Sequence, residues 1–241
     1  SPTGTNPYTR AYSYPTDNTV PTPKSYTIET YNNLADVDAL KATGCLVEEF
    51  TLEGNAREAW KMSATWFTRR PASATPTALS TLVSVEEALI PKTLLYIDAS
   101  GGTIGTTQKA GVFMGAQIRV RTGLIPLPVG DGNLYHPTYK WTKPEITFTI
   151  TLELEKDASA SMVSTERTAY TNRSVRLFKT NCTGSGSKAF AMTWAGVYDS
   201  VGDYTNADGN TTVQLSGHAV YSAADSLFWT ATVVNTVASL P

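Results

Sequence analysis

The sequence predicts a mainly β protein, a sandwich or barrel of roughly ten strands with one or two short helices flanking it. Three observations lead there. Threonine, serine, alanine and valine are abundant, while aromatic residues make up 10% of the chain and charged residues only 17%. That profile suits pleated, half-buried surfaces. Residues 145–156, EITFTITLELEK, place Ile146, Phe148, Ile150, Leu152 and Leu154 on one face and Thr147, Thr149, Thr151, Glu153 and Glu155 on the other. A period of two over that length is a strand with one buried and one wet face. Only two segments, by contrast, carry helical spacing.

Residues 1–24 are broken by Pro2, Pro7, Pro15, Pro21 and Pro23, which excludes a helix or a central strand. Tyr8, Tyr12 and Tyr14 are large groups for a free linker. The segment reads either as a disordered terminus or as an arm that orders on a neighbouring subunit. Strand candidates follow in SYTIETY, CLVEEFTL, WKMSATWFTR, KTLLYID and GVFMGAQIRVRTGLIPL, then EITFTITLELEK. SVRLFKT, KAFAMTWAGVY, TVQLSGHAVYS and SLFWTATVVN complete them. Between these, residues 77–90 space Leu79, Leu82, Val83 and Leu89 as a helix that stops at Pro91. Residues 157–172 can start a second helix with Asp157 or Ser159 as its cap. A Thr/Glu-rich strand, a helical candidate and a hairpin recur in the two halves, about 25–125 and 126–241, without residues that align.

The formal charge of −2 leaves no basic surplus to displace phosphate counterions, so DNA near this chain is tolerated rather than held. Residues 99–113, ASGGTIGTTQKAGVF, mimic a phosphate cradle. Yet Lys109 follows Gln108, no Ser or Thr comes next, and a strand follows where a helix N-terminus is needed. The stretch reads as a mobile glycine-rich connection between strands. YTNADGN at 204–210 lacks both end ligands of a calcium loop, with Tyr204 first and Leu215 twelfth. It reads as a tight turn, as does Asp131 to Asn133. His136 and His218 stand apart, with no HExxH, Cys/His cluster or GxSxG. His218 reads as a packed or surface strand residue. Glu153 and Glu155 would lie about 6.5–7 Å apart on one strand face, near an inverting glycosidase's separation, but two residues of one strand flank no cleft by themselves. Cys45 and Cys182 leave open one disulfide or two reduced thiols. Asn172, Asn181 and Asn210 begin N-x-S/T sequons, which carry little weight without a signal peptide. The sequence implies no catalytic residue, cofactor, metal or membrane span.

The order of the pieces is informative. A proline-rich arm leads to PKSYTIETYNN and GCLVEEFTLEGNAREAWKMSATWFTRRP. LYIDASGGTIGTTQKAGVFMGAQIRVRTG, ITFTITLELEKDA, an RxVRL strand and SLFWTATVVNTVASL follow. Over most of residues 25–241 this layout resembles the major tail tube proteins of long-tailed, non-contractile (siphovirus-type) bacteriophages.

The resemblance implies a β-sandwich whose subunits form rings, one sheet of each joining a ring-shaped β-barrel around a channel that passes DNA. It implies a virion-tail protein assembled in the host cytoplasm, with its own copies, tape measure, tail-terminator and tail-tip proteins as partners. A single enlarged domain implies six subunits per ring, and two fused halves imply three. Glu153 and Glu155 are then candidate lumen residues, where carboxylates repel phosphate and let a duplex slide. Tyr8, Tyr12, Tyr14, Gly101, Gly102, Gly105 and Lys109 are candidate contacts between rings or subunits. The chief rival is a carbohydrate-binding module using Trp60, Trp66, Trp141, Trp194 or Trp229, although Trp66, Trp194 and Trp229 lie in alternating strands. A glycosidase and a virion decoration or spike protein are the others.

Overall fold

The computed structural model describes residues 6–14, 22–30, 39–68, 71–75, 87–130, 132, 138–154, 158–184, 188–207 and 209–236. They form β1 (Tyr8–Ser13), β2 (Tyr26–Thr30), β3 (Leu40–Asn55), β4 (Lys61–Phe67), β5 (Pro71–Ser73), β6 (Thr93–Ala99), β7 (Phe113–Arg121) and β8 (Leu124–Leu127). Then come β9 (Thr138–Trp141), β10 (Glu145–Glu153), α1 (Ala158–Thr171), β11 (Arg176–Thr183), β12 (Ala189–Val201), β13 (Thr205–Ala207), β14 (Asn210–Ala219) and β15 (Trp229–Asn235). The class is mainly β and sandwich-like, as the alternation predicts. No closed barrel forms among the described residues.

Among the described residues fifteen strands appear where roughly ten are expected. β5, β9 and β13 are three or four residues long, too short to show a period. Residues 111–127 divide in two at Gly123, whose φ of 82° turns the chain and whose missing side chain leaves room for the Thr142 carbonyl. β1 occupies the proline-free stretch between Pro7 and Pro15, and it pairs with β15 alone, as an edge strand. The helix expected at 77–90 falls largely outside the described residues. At its end, Ile90–Lys92 form one 3-10 turn around Pro91. The helix expected at 157–172 is present as α1.

Thirteen strands share one antiparallel sheet that folds over on itself. β12 makes the fold possible. Its first half, Ala189 to Trp194, lies between β11 and β15. From Gly196 onward its second half pairs with β14, through a bulge between Tyr198 and Ser200. One layer therefore runs β6-β11-β12-β15-β1, and the other runs β12-β14-β10-β7-β3-β4. A strand that passes from one layer into the other is how a sandwich turns its corner.

The core lies between the layers. β10 sends Ile146, Phe148, Ile150 and Leu152 inward, to meet Ile118 and Val120 of β7, Leu215 of β14, and Phe178 and Trp194 of the other layer. Phe178 and Trp194 stack at 5.2 Å and 9°, and the Phe148 ring centroid sits 4.6 Å from that of Phe178. Room for Phe148 comes from glycine. It pairs across the sheet with Gly217, where any Cβ would strike the Val197 carbonyl and the Phe148 ring. Both expected halves contribute to this core, with β7 paired to β10. Cys45 and Cys182 are separate buried thiols. No described helix is long and apolar enough to cross a membrane.

Candidate functional site

Period-two strands that bury one face expose the other, and the second layer exposes a wide one. Cross-strand rows define it. Glu49, Arg121 and Glu145 form one row over β3, β7 and β10, and Thr51, Arg119, Thr147 and His218 form the next, reaching β14. Glu53, Gln117, Thr149 and Ser216 follow, then Asn55, Gly115, Thr151 and Gln214. Lys61, Ser63 and Thr65 of β4 extend it beyond β3. These positions hold hydroxyls, amides and charges, and no Phe, Tyr or Trp. The small residues Gly54 and Ala116 floor a shallow depression of about 400 Å³, walled by Glu53, Lys61, Gln117, Thr149, Thr151 and Gln214.

The charges on this face are joined to each other. Arg119 Nε lies 2.7 Å and Arg121 Nε 3.1 Å from the two Glu49 oxygens, and Arg121 also reaches Glu145 at 3.5 Å. The Arg119 hydrogen bond, followed by that of Arg121, holds the Glu49 carboxyl below its ordinary range despite the opposing effect of burial. Gln117 donates to Glu53 at 2.9 Å, and His218 Nδ1 lies 2.8 Å from Asp199.

Of the two expected channel carboxylates, Glu153 is half-buried at the end of β10 on the parity of the wet face, opposite Thr212. Glu155 lies outside the described residues. Tyr8 pairs with Asn235 and Tyr12 with Ala231 of the chain's own β15. Tyr12 is 43% exposed, while Tyr14 stands edge-on to Phe228 at 5.9 Å. Arg10, between them, is buried and donates to Asn235 at 2.7 Å.

The glycine-rich connection differs from the mobile one expected. Asp98 closes β6 with a buried carboxylate that accepts from Gly105 N–H and Thr107 N–H at 2.7 Å and from Thr106 Oγ1 at 2.8 Å. Burial pushes the Asp98 carboxyl up, but these donors together hold it below its ordinary range. Asp225 fastens the other side, accepting from Gly101 N–H at 3.0 Å, Ser100 Oγ at 2.8 Å and Ser222 Oγ. Gly102 closes a turn onto the Ala99 carbonyl. Glycine is required at 101 and 105 because φ is 78° and 87° there.

Lys109 points inward. It is 5% exposed, with Nζ 3.3 Å from Glu166 of α1. Arg176 meets the same carboxylate through two donors at 2.9 and 2.8 Å, and the Tyr198 hydroxyl donates to it at 2.8 Å. Burial, reinforced by Glu166, pushes the Tyr198 phenol well up. Val163, Glu166 and Ala169 lie on one helical face, so this network pins α1 to the sandwich. The arrangement is structural chemistry: each polar group in it is spoken for. No group of metal-ligating side chains occurs among the described residues.

Sequence reasoning missed Glu49, Arg119 and Arg121. Alternation in QIRVR places both arginines on one strand face, but their carboxylate partner sits 70 or more positions earlier in sequence. Only the pairing of β3 with β7 joins them. What the fold and this face define is a mainly β, sandwich-like protein with a broad hydrophilic sheet surface. No known protein family matches the chain, and no curated protein sequence matches it.

Proposed function

We propose that this chain is a structural subunit that polymerises as stacked rings into a phage-type tail tube, with the wet face of the β12-β14-β10-β7-β3-β4 layer lining a channel that passes DNA. One observation carries the reading. Five strands, from β4 to β14, present a continuous face rich in hydroxyls, amides and self-paired charges, with no aromatic platform among the described residues on it. Such a face suits a lining that a polyanion passes without lodging.

The ends of the layer support ring closure. Among the described strands, β4 pairs with β3 alone, and past Gly196 β12 has β14 on one side only. Direction alternates at each of the six strands, so β4 of one subunit beside the Tyr198–Val201 end of the next would remain antiparallel. A closed ring removes both sheet edges. Tyr12, exposed on β1, and the fixed 100–106 turn are surfaces for ring-to-ring contact. Lys109 has its charge engaged within the chain.

The carbohydrate-binding reading draws less from the geometry. Trp194 is fully buried, Trp60 donates to Thr93 at 2.9 Å, and Trp66 stands edge-on to Tyr26. None of them forms an open platform on the wet face. Negative-stain electron microscopy of the purified protein over a concentration series tests the proposal. Hollow tubes or stacked rings are expected, and end-on averages then count six or three subunits. A monomer at every concentration, joined by a tryptophan fluorescence change on adding polysaccharide, would replace this reading with the rival.

A further inference from the structure

Arg119 and Arg121 are two positions apart on one strand and share a face, which puts them ~7 Å apart. Left alone, they would form a phosphate clamp, since guanidinium groups bind phosphate through paired, charge-assisted hydrogen bonds. They are half-exposed and stand amid the face assigned above to a passing polyanion. Both are occupied instead. Glu49 takes one nitrogen from each, and Glu145 takes a second nitrogen of Arg121. Isolated ion pairs at a solvent-facing surface contribute little to stability, so the cluster points to a second role.

We propose that Glu49, seconded by Glu145, is an electrostatic guard: by holding Arg119 and Arg121 it keeps the wet face from capturing duplex DNA. Its purpose rests on the channel reading, but its chemistry is a property of one subunit. The guard works because its carboxylates are fixed in the same sheet as the arginines. β3, β7 and β10 are paired throughout this region, so little conformational entropy is lost in forming the pairs, whereas a phosphate would have to displace a partner already in place. The face keeps charge of both signs, which stays hydrated, and each described cation on it has a carboxylate partner, Lys61 with Glu58 included.

The test is a titration of the full chain with a fluorescent duplex DNA fragment, read by anisotropy across a salt series. Wild-type protein is expected to bind negligibly. Glu49→Gln frees Arg119 and partly frees Arg121, so binding should appear with a log–log salt slope near −0.9. Glu49→Gln/Glu145→Gln frees both and should steepen the slope to about −1.8, roughly a tenfold loss of affinity between ~50 and ~200 mM salt. Adding Arg119→Gln and Arg121→Gln to that double variant should abolish binding. Glu→Gln is isosteric and Arg→Gln shortens a half-exposed side chain, and thermal melts confirm folding. Overturning results are DNA binding by wild type equal to that of the Glu49 variants, or binding that persists without the two arginines. Tube assembly of the same proteins is scored separately by microscopy. Tubes with no gain of DNA binding overturn the guard alone, and a gain of binding without tubes supports the guard while removing the channel reading.

Discussion

Glu166 shows how one residue can hold a fold together from an unfavourable position. A carboxylate with no solvent exposure is tolerable only where partners replace water, and Lys109, Arg176 and Tyr198 supply four contacts. Removing it leaves two cations without their anion in a dry interior. Glu166→Ala is expected to destabilise the protein by about 3–5 kcal/mol, measured as a lower urea midpoint. A loss below ~1 kcal/mol would mean that water reaches the site. The sequence hides this role, since Glu166 reads as an ordinary polar residue of an amphipathic helix. Lys109, likewise, reads as a surface cation beside a glycine loop until the fold carries it inside.

At the scale of the element, the turn after β6 shows a side chain doing what glycine alone would not. Glycines make the turn sterically possible, and the Asp98 carboxylate fixes it through three donors. Because those donors hold the folded pKa below the unfolded value of about 3.9, Asp98 stabilises the protein above that pH. The contribution is lost as pH falls through the folded value. Asp98→Asn should therefore lower stability at neutral pH and flatten the decline of stability below about pH 4, as read from urea midpoints against pH. An unchanged acid decline would assign it to other carboxylates, of which Glu49 and Asp225 are shifted in the same direction.

For the whole molecule, the terminal arm decides between a part of the fold and a part of the assembly. β1 closes the β15 edge, yet Arg10 is its only buried residue, so it adds little to the core. Deleting residues 1–24 should leave a folded subunit, with a small drop in melting temperature, whose tubes are short or absent. Normal-length tubes would rule the arm out of stacking. Truncation that unfolds the subunit would instead make β1 an integral strand.

The mainly β class, the long strands and α1 were legible in the chain because they rest on local periodicity. Ile146 to Leu152 alternate whatever the rest of the molecule does. Short strands such as β5 and β13 were not, because three residues show no period and exist only by pairing with a neighbour. The wet face was half legible: alternation told which side chains leave the core, but not which of them meet. Glu49 finds Arg119 and Arg121, and Glu166 finds Lys109 and Tyr198, only after the backbone has brought together segments far apart in sequence. Sequence by itself determined the faces; tertiary structure alone decided which charges remain free on them, because an ion pair depends on distance in space and not along the chain.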